Sequence, residues 1–192
     1  MIDSGTFKNA VNMSHFIMAP FLKAAKTLVD MTCGNGHDTV FLASHMAPAA
    51  TLYALDIQPC AIANTKEAIR QAGLENMQIV YSLGSHDQLV EAIDEPIDIV
   101  VFNLGYLPSG NHDLHTDAKI TINACKLCLN KIAENGIIII VSYPGTKAGA
   151  EECQLLRKFL QDIPQKEFHV SQWCPLNQVN DPPVLYIVQK RG

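Results

Sequence analysis

The sequence predicts an α/β fold in which helices cover both faces of a doubly wound, mostly parallel sheet of seven strands. Three observations favour this class. Strand-like and helix-like segments alternate along the chain, the strand-like segments are almost continuously apolar, and a glycine-rich turn follows the first of them. Apolar strands of this kind are typical of parallel sheets covered on both faces. Their alternation with helices is typical of doubly wound domains.

Seven segments are predicted to be strands because each is short and rich in apolar residues. The first five alternate with helical patterns and therefore suit a parallel arrangement, and the last two are expected to close the sheet. The predicted strands are residues 27–31, 51–56, 77–81, 97–103, 136–142, 167–173 and 184–189.

The predicted helices lie between these strands, where apolar residues recur at intervals of three and four, the spacing of one helix face. Pro59 suits a first helical turn, and Gly73 ends that helix. Asn135 and Gly136 are expected to end a later helix, because such residues are common directly after a helix. The helices are predicted near residues 11–25, at 59–72, from 118 to Asn135, and at 155–160 before Pro164.

Length and composition exclude several classes of protein. With 192 residues, the chain suits one domain with a full core, and we expect residues 1–192 to form it. Hydrophobic residues make up 48% and charged residues 17%, which excludes a disordered chain. Apolar runs such as residues 137–141 are far shorter than the roughly 20 residues that span a bilayer. The N-terminal residues lack the pattern of a signal peptide, so we expect no membrane association.

Cysteine content and charge bear on the compartment and the partners. Cys125 and Cys128 form a CxxC without a second CxxC or an HxxxH, so we interpret the six cysteines as reduced thiols of a cytoplasmic protein. The net charge of −5 does not suit broad phosphate neutralisation, so any RNA must meet a local basic patch or be recognised by shape and bases. The candidates for that patch are Lys119, Lys126, Lys131, Lys147, Lys158, Lys166, Lys190 and Arg191, although a solvated helix face is an equal alternative for each of them.

The turn after the first strand has the features of a nucleotide site. Its glycines let the backbone turn sharply and approach a ligand. Asp56 lies 20 residues after Gly36, at the tip of the second strand, where a carboxylate can accept hydrogen bonds from both ribose hydroxyls. The predicted cofactor contacts in this region are Asp30, Cys33, Gly34, Asn35, Gly36, Asp38 and Asp56.

The chemistry of the turn favours S-adenosylmethionine over a dinucleotide. A dinucleotide fingerprint has a third glycine where Thr39 stands, and the carboxylate of Asp30 would repel a pyrophosphate. Asp30 suits the amino group or the sulfonium of S-adenosylmethionine instead. Two alternatives stay open: Asp30 accepts hydrogen bonds only from amides of its own loop, or the chain is an NAD-dependent oxidoreductase.

Two further places extend the predicted cofactor site. Gln58 is expected to flank the adenosine, although it could simply be the residue before a helix. Ser85 and His86 follow the third strand, where folds of this kind bind the adenine. A solvent-exposed helix start is the equal alternative for them.

The fourth strand ends in Asn103-Leu-Gly-Tyr106-Leu-Pro108, which resembles the Asn/Asp-Pro-Pro-Tyr turn of amino-methylating enzymes. In that turn the Asn side chain and a backbone carbonyl accept hydrogen bonds from a substrate amine, and the aromatic ring stacks on the substrate. Asn103 and Tyr106 are therefore the predicted catalytic residues, although Leu104 and Gly105 replace the two prolines. Alternatively, Asn103 caps the strand end and Tyr106 lies in the core.

These motifs together resemble one family. The run from Asp30 to Ala43 and the turn from Asn103 to Pro108 are similar to small bacterial methyltransferases that were labelled rRNA methylases and are now assigned as tRNA 5-aminomethyl-2-thiouridine methyltransferases. The resemblance continues through Tyr143-Pro-Gly145, Glu151-Glu152 and residues 177–183, and so covers nearly the whole chain. One loop departs from the family pattern: residues 146–149 read Thr-Lys-Ala-Gly where the family has a His and then a Gly pair.

The resemblance implies a Rossmann-like class I methyltransferase fold, S-adenosylmethionine as the donor, and the wobble uridine of a tRNA anticodon as the acceptor. Other acceptors, rRNA or a small molecule, stay open, and so does a non-catalytic nucleotide-binding module. The oligomeric state is open as well, a homodimer included. His112, Asp113 and His115 have a spacing that could hold a metal. Methyl transfer from a sulfonium needs no metal, so none is predicted.

Overall fold

The computed structural model describes residues 5–105 and 118–192. Within these residues seven strands form one sheet in the order β3-β2-β1-β4-β5-β7-β6. β1 to β5 are parallel, and β7 runs antiparallel to both β5 and β6. The doubly wound, mostly parallel seven-stranded sheet expected from the sequence is thus confirmed. The strands are β1 Thr27–Asp30, β2 Thr51–Asp56, β3 Gln78–Leu83, β4 Ile97–Asn103, β5 Ile132–Ser142, β6 Phe168–Trp173 and β7 Val184–Lys190.

Helices fill the connections, and local sequence explains where several of them begin. The side chain of Asn9 accepts a hydrogen bond from the backbone N of Asn12 at the start of α1, and Thr146 does the same for Gly149 at the start of α6. Pro59 is the first residue of α3, where its missing N–H costs nothing. The helices are α1 Ala10–Leu22, α2 His37–His45, α3 Pro59–Gln71, α4 His86–Glu91, α5 Ala118–Lys131 and α6 Lys147–Gln161.

The expected end of α5 at Asn135 and Gly136 is wrong. The helix ends at Lys131, and the chain enters β5 with a register shift while Asn135 adopts a φ of 62°. A Cβ on Gly136 would lie only 2.9 Å from the carbonyl oxygen of Ala133 and 3.0 Å from that of Asp98. Glycine therefore serves the close approach of backbones at the irregular start of β5, not the end of a helix.

The sheet separates two apolar cores, because alternate residues of each strand point to opposite faces. On β4, Val100 and Phe102 pack in the core under α4, α5 and α6, whereas Ile99 and Val101 pack in the core under α1, α2 and α3. Trp173 packs, partly buried, against the second core. This two-sided covering accounts for the continuous apolar runs in the sequence.

The six cysteines are all free, but they occupy different surroundings. Cys125 and Cys128 lie in the core, where burial raises the pKa of Cys125 well above its ordinary value and that of Cys128 to about 12. The CxxC pair is therefore packed as neutral thiols. Cys60 and Cys174 are exposed.

None of the described helices is both long enough and apolar enough to cross a membrane.

Candidate functional site

The glycine-rich turn between β1 and α2 is shaped by positive φ angles and by close packing on α3. Gly34 has a φ of 51° and Gly36 a φ of 83°. A Cβ on Gly36 would lie 2.9 Å from the Cβ of Ala68 and 3.0 Å from the Cα of Thr65. The buried hydroxyl of Thr65 is 3.2 Å from the carbonyl oxygens of both Cys33 and Gly34. The turn and α3 thus form one packed unit.

Asp56 lies at the tip of β2, beside the turn, as the sequence predicted. One carboxylate oxygen accepts a hydrogen bond from the N–H of Gly34 at 3.0 Å, and the other accepts from the N–H of Gln58 at 2.9 Å. Gln58 directly precedes α3, and its side chain accepts a bond from the thiol of Cys60. Asp56 therefore holds the turn and the start of α3 together. Its contact with a ribose, and that of Gln58 with adenosine, stay predictions.

Asp30 is completely buried, and both of its carboxylate oxygens have partners. The hydroxyl of Thr39 donates to one at 2.6 Å, and the backbone N–H of Thr32 donates to the other at 3.2 Å. Burial, with the charge of Asp38, raises the pKa of Asp30 to about 8. The contacts within the loop are the alternative that the sequence left open, and a cofactor contact of Asp30 stays a prediction. The hydrogen bond to Asp30 also explains why Thr39 occupies the position at which a dinucleotide fold has glycine.

Cys33 and Asn35 complete the turn. Cys33 is buried, and burial with the charge of Asp30 raises its thiol pKa well above the ordinary range, so the thiol is neutral. The side-chain oxygen of Asn35 accepts a hydrogen bond from the amide of Asn64 on α3 at 2.9 Å. Both residues therefore have structural partners, and their cofactor contacts stay predictions.

Asn103 ends β4 at the same edge of the sheet. Its backbone N–H donates to the hydroxyl of Thr32 at 2.7 Å, which ties the strand end to the turn. Its side-chain Nδ2 donates to Oδ2 of Asp38 at 3.0 Å, and Oδ1 of Asp38 is 2.6 Å from Nε2 of His15 on α1. His15 stacks on Phe41, with ring centroids 3.8 Å apart. The structure therefore brings the predicted residues Asp38 and Asn103 together.

Two residues at this site were not among the predicted contacts: His15 and Tyr143. Tyr143 follows β5, and its ring lies against the backbone of Gly105, where a Cβ would be 3.2 Å from the ring. Burial and the charge of Asp38 raise the pKa of Tyr143 to about 12, while a hydrogen bond with the side chain of Asn103 lowers it. Tyr143 belonged to a motif of the family resemblance, whereas no spacing in the sequence pointed to His15.

Ser85 and His86 begin α4, and His86 is buried, so the alternative of a solvent-exposed helix start is wrong for it. Burial lowers the pKa of His86 and keeps the ring neutral. In the described part of the chain its Nδ1 has no hydrogen-bond partner. The hydroxyl of Ser85 donates to Asp87. This nitrogen is buried, and the adenine contact stays a prediction.

Four residues with predicted or alternative roles lie outside the described residues: Tyr106, His112, Asp113 and His115. The roles considered for them, stacking for Tyr106 and metal ligation for the others, therefore stay at the level of the sequence.

Three of the eight basic residues considered for an RNA-binding patch form hydrogen bonds with backbone carbonyl oxygens. The ammonium of Lys131 donates to the carbonyl oxygens of Glu91 and Ile93, and that of Lys190 donates to Ile132 at 2.9 Å. Arg191 donates to the carbonyl oxygen of Gln165 at 3.0 Å. Lys131 and Lys190 lie at the edge where β5 begins, opposite the edge that carries Asn103. These groups close loops of the fold and do not line the site.

Comparisons with known proteins identify the family of the chain and agree with its fold. Residues 52–189 match the model of the family described as putative rRNA methylase. The chain is 32% identical over 197 residues to the chloroplastic tRNA (mnm(5)s(2)U34)-methyltransferase of Arabidopsis thaliana, with 96% of this chain and 70% of that protein covered.

Two solved structures share both fold and sequence with the chain. A putative rRNA methylase from Clostridium thermocellum is 38% identical with a TM-score of 0.91, covering 96% of this chain and 99% of that one. A putative methyltransferase from Streptococcus mutans, solved in complex with SAH, is 32% identical with a TM-score of 0.85, covering 99% of both chains. The family model matches most of the sequence and these relatives align with nearly all of it. The resemblance seen in the motifs is thereby confirmed: the chain belongs to the putative rRNA methylase family and is a methyltransferase with the class I fold.

Proposed function

We propose that the chain transfers a methyl group from S-adenosylmethionine to the amine of 5-aminomethyl-2-thiouridine at the wobble position of tRNA. The observation that carries the acceptor assignment is the placement of Asn103. Its side chain stands at the end of β4, next to the glycine-rich turn, and its amide nitrogen is bonded to Asp38. The carbonyl oxygen of that amide is then the group suited to accept an N–H from an amine.

The residues around the turn suit a cationic donor. Asp30 and Asp56 lie beside it, and within residues 5–105 and 118–192 no lysine or arginine forms an ion pair with either of them. Burial, with the charges of Asp38 and Asp56, raises the pKa of Asp30, and a positively charged ligand would favour its ionised form. Within the described residues the buried Nδ1 of His86 has no hydrogen-bond partner, and it lies where the adenine is expected. When bound, S-adenosylmethionine supplies a sulfonium that makes its methyl carbon electrophilic.

The contribution of the chain is alignment. A primary amine attacks only as the neutral species, so Asn103 would accept one N–H and leave the nitrogen lone pair aimed at the donor. Alignment of this kind is worth up to roughly 7–11 kcal/mol in well-oriented systems. Tyr106 is proposed to stack on the uracil ring. The base must be splayed out of the anticodon for either contact, as is usual in recognition of single-stranded RNA.

The tRNA assignment also draws on the Arabidopsis relative, whose name states a tRNA wobble methyltransferase activity. The net charge of −5 favours recognition through the base and a few local contacts over broad phosphate neutralisation. A cytoplasmic location accompanies the proposal as a prediction from the sequence, and the oligomeric state, a homodimer included, stays open.

The test is methyl transfer to defined acceptors. The protein is incubated with labelled S-adenosylmethionine and, in separate reactions, tRNA and rRNA from a strain that lacks the gene, followed by nucleoside mass spectrometry. We expect label in the 5-methylaminomethyl nucleoside of tRNA. Label in rRNA alone would replace the acceptor, and cofactor binding without transfer to either RNA would favour a small-molecule acceptor or a binding module.

A further inference from the structure

Three side chains from three separate elements form a chain of hydrogen bonds at the carboxyl edge of the sheet. His15 on α1 contacts Asp38 in the first turn of α2 at 2.6 Å, and Asp38 accepts from Nδ2 of Asn103 at the end of β4 at 3.0 Å. The side chain of Asp38 is only 6% exposed, so water cannot readily replace either partner. The two bonds use one oxygen of the carboxylate each.

This arrangement determines which way round the Asn103 amide lies. The two ends of an Asn side chain have nearly the same shape but opposite hydrogen-bonding character. An ionised carboxylate only accepts, so the end of Asn103 that faces Asp38 must be the NH2 group. The carbonyl oxygen is therefore turned away from Asp38. The hydrogen bond that lowers the pKa of Tyr143 is also consistent with an N–H of Asn103 facing that hydroxyl.

We propose that Asp38, held by His15, is a positioning residue that fixes the amide of Asn103 with its carbonyl oxygen toward the acceptor amine. The amine in this statement rests on the proposed function. The orientation of the amide rests on the hydrogen bonds alone. Asp38 thereby acts on the acceptor side of the site, which differs from the cofactor contact that its place in the glycine-rich motif predicts.

The orientation matters because the acceptor is itself an N–H donor. In the transfer, the neutral amine nitrogen forms a bond to the methyl carbon, the carbon–sulfur bond breaks with its electron pair moving to sulfur, and the secondary ammonium product releases a proton to solvent. A carbonyl oxygen can hold the amine through one N–H while its lone pair stays free. A reversed amide would face the amine with its own N–H groups and compete for that lone pair.

Asp38→Asn should reverse the amide. If Nε2–H of His15 keeps donating to residue 38, the new side chain uses its single oxygen for that bond and presents its NH2 group to Asn103. Asn103 must then turn its own oxygen inward to accept. We expect the single-turnover rate at saturating RNA and cofactor to fall at least tenfold, with the dissociation constant of S-adenosylmethionine within about threefold of the wild-type value.

The double variant Asp38→Asn/Asn103→Asp provides the rescue. Here residue 103 is a carboxylate, which accepts from the new amide at position 38 with one oxygen and offers the other to the amine. It also restores the net charge of the site. We expect its single-turnover rate to be at least threefold higher than that of Asp38→Asn. Asp162→Asn, the same change at an exposed position after α6, is the control for loss of a carboxylate.

Two results would overturn the proposal. One is a tenfold weaker cofactor affinity in Asp38→Asn with an unchanged single-turnover rate, which would make Asp38 a cofactor contact. The other is a double variant no faster than Asp38→Asn although both are folded by thermal unfolding, since a merely structural role predicts no rescue.

A measurement without any acceptor separates this proposal from the proposed function. The side-chain amide protons of Asn103 can be followed by NMR in the wild-type protein, which does not depend on whether a variant folds. A fixed bond to Asp38 predicts one amide proton shifted downfield and slow to exchange with water, and two protons with the shifts and fast exchange of a free, solvated amide would contradict it. If that proton is protected but no tRNA is methylated, the acceptor assignment fails and the orientation of the amide stands.

Discussion

The two edges of one sheet use similar residues in different ways. At the edge where the parallel strands begin, Asp98 accepts the backbone N–H groups of Lys26 and Thr27, and Lys131 and Lys190 donate to backbone carbonyls. At the edge where they end, Asp38 instead bonds two other side chains, His15 and Asn103. Asp98 stabilises a loop through its backbone partners, whereas Asp38 links side chains of α1, α2 and β4. The same residue type therefore has a different role at each edge.

The largest effect expected at the functional edge concerns stability and pH. The pKa of Asp30 is raised from 3.8 to about 8 by burial, so folding favours its protonated form. The stabilisation is complete below pH 4 and is lost as the pH rises towards 8. In the wild-type protein this loss should lower the free energy of unfolding by at least about 3 kcal/mol between pH 4 and pH 8, the equivalent of two pKa units. Asp30→Asn should not show this decrease. Urea unfolding at a series of pH values measures it, and parallel pH profiles of the two proteins would contradict it.

The second prediction sets the two edges against each other directly. Asp56→Ala should weaken binding of S-adenosylmethionine by about 1.5–3 kcal/mol, because a charged hydrogen bond to the ribose is lost. Asp98→Ala is the matched control, since Asp98 also accepts two backbone N–H groups but does so at the opposite edge. Calorimetry should find cofactor affinity unchanged in Asp98→Ala. If both variants fold and lose cofactor affinity equally, the loss in Asp56→Ala comes from its hydrogen bonds to the backbone and not from contact with the ribose.

The third prediction concerns the acceptor. Asn103→Ala should lower the methylation rate at saturating RNA by at least tenfold, about 1.4 kcal/mol of lost alignment, with a much smaller change in cofactor affinity. Single-turnover kinetics on tRNA that carries the unmethylated amine measure it. Asn123→Ala, at an exposed position of α5, should leave the rate unaltered. A wild-type rate in Asn103→Ala would remove the amine-holding role.

The smallest effect is expected at the structural edge. Lys131→Met should lower the free energy of unfolding by about 1 kcal/mol, because hydrogen bonds to the carbonyl oxygens of Glu91 and Ile93 are lost. Lys158→Met removes a lysine from the last turn of α6, where the side chain is exposed, and should change stability less. Chemical unfolding of the three proteins compares them. A reduced RNA affinity without any loss of stability in Lys131→Met would return this residue to the basic patch.

The fold could be predicted from the sequence because its signals are local. Continuous apolar runs mark buried parallel strands, and β2 and β4 have the bounds that the pattern predicted. The start of β5 could not be predicted in this way. Asn135 and Gly136 carry the same signal at a helix end and at an irregular strand start, and only the carbonyl of Asp98, 38 residues away, distinguishes them.

The site was predictable only where chemistry follows directly from position along a strand. Asp56 and Asn103 stand at strand tips, and strand tips of a parallel sheet meet at one edge. His15, the partner of Asp38, could not be predicted in this way. It is 23 residues away on another helix, and its neighbours in sequence give no periodic or motif signal. Likewise, the bonds of Lys131 cross 38 and 40 residues. Side-chain pairing between distant elements depends on packing that the sequence pattern does not encode.

The position of β1 in the sheet has a consequence for synthesis on the ribosome. β1 pairs with β2 on one side and with β4 on the other, and Leu28 meets Ile99 across 71 residues of chain. A nascent chain that has emerged only as far as β3 can form β3-β2-β1, with one edge of the most buried strand still unpaired. Unpaired apolar edges invite association with other chains. Once β4 has emerged and paired with β1, the second edge of β1 is no longer open to other chains.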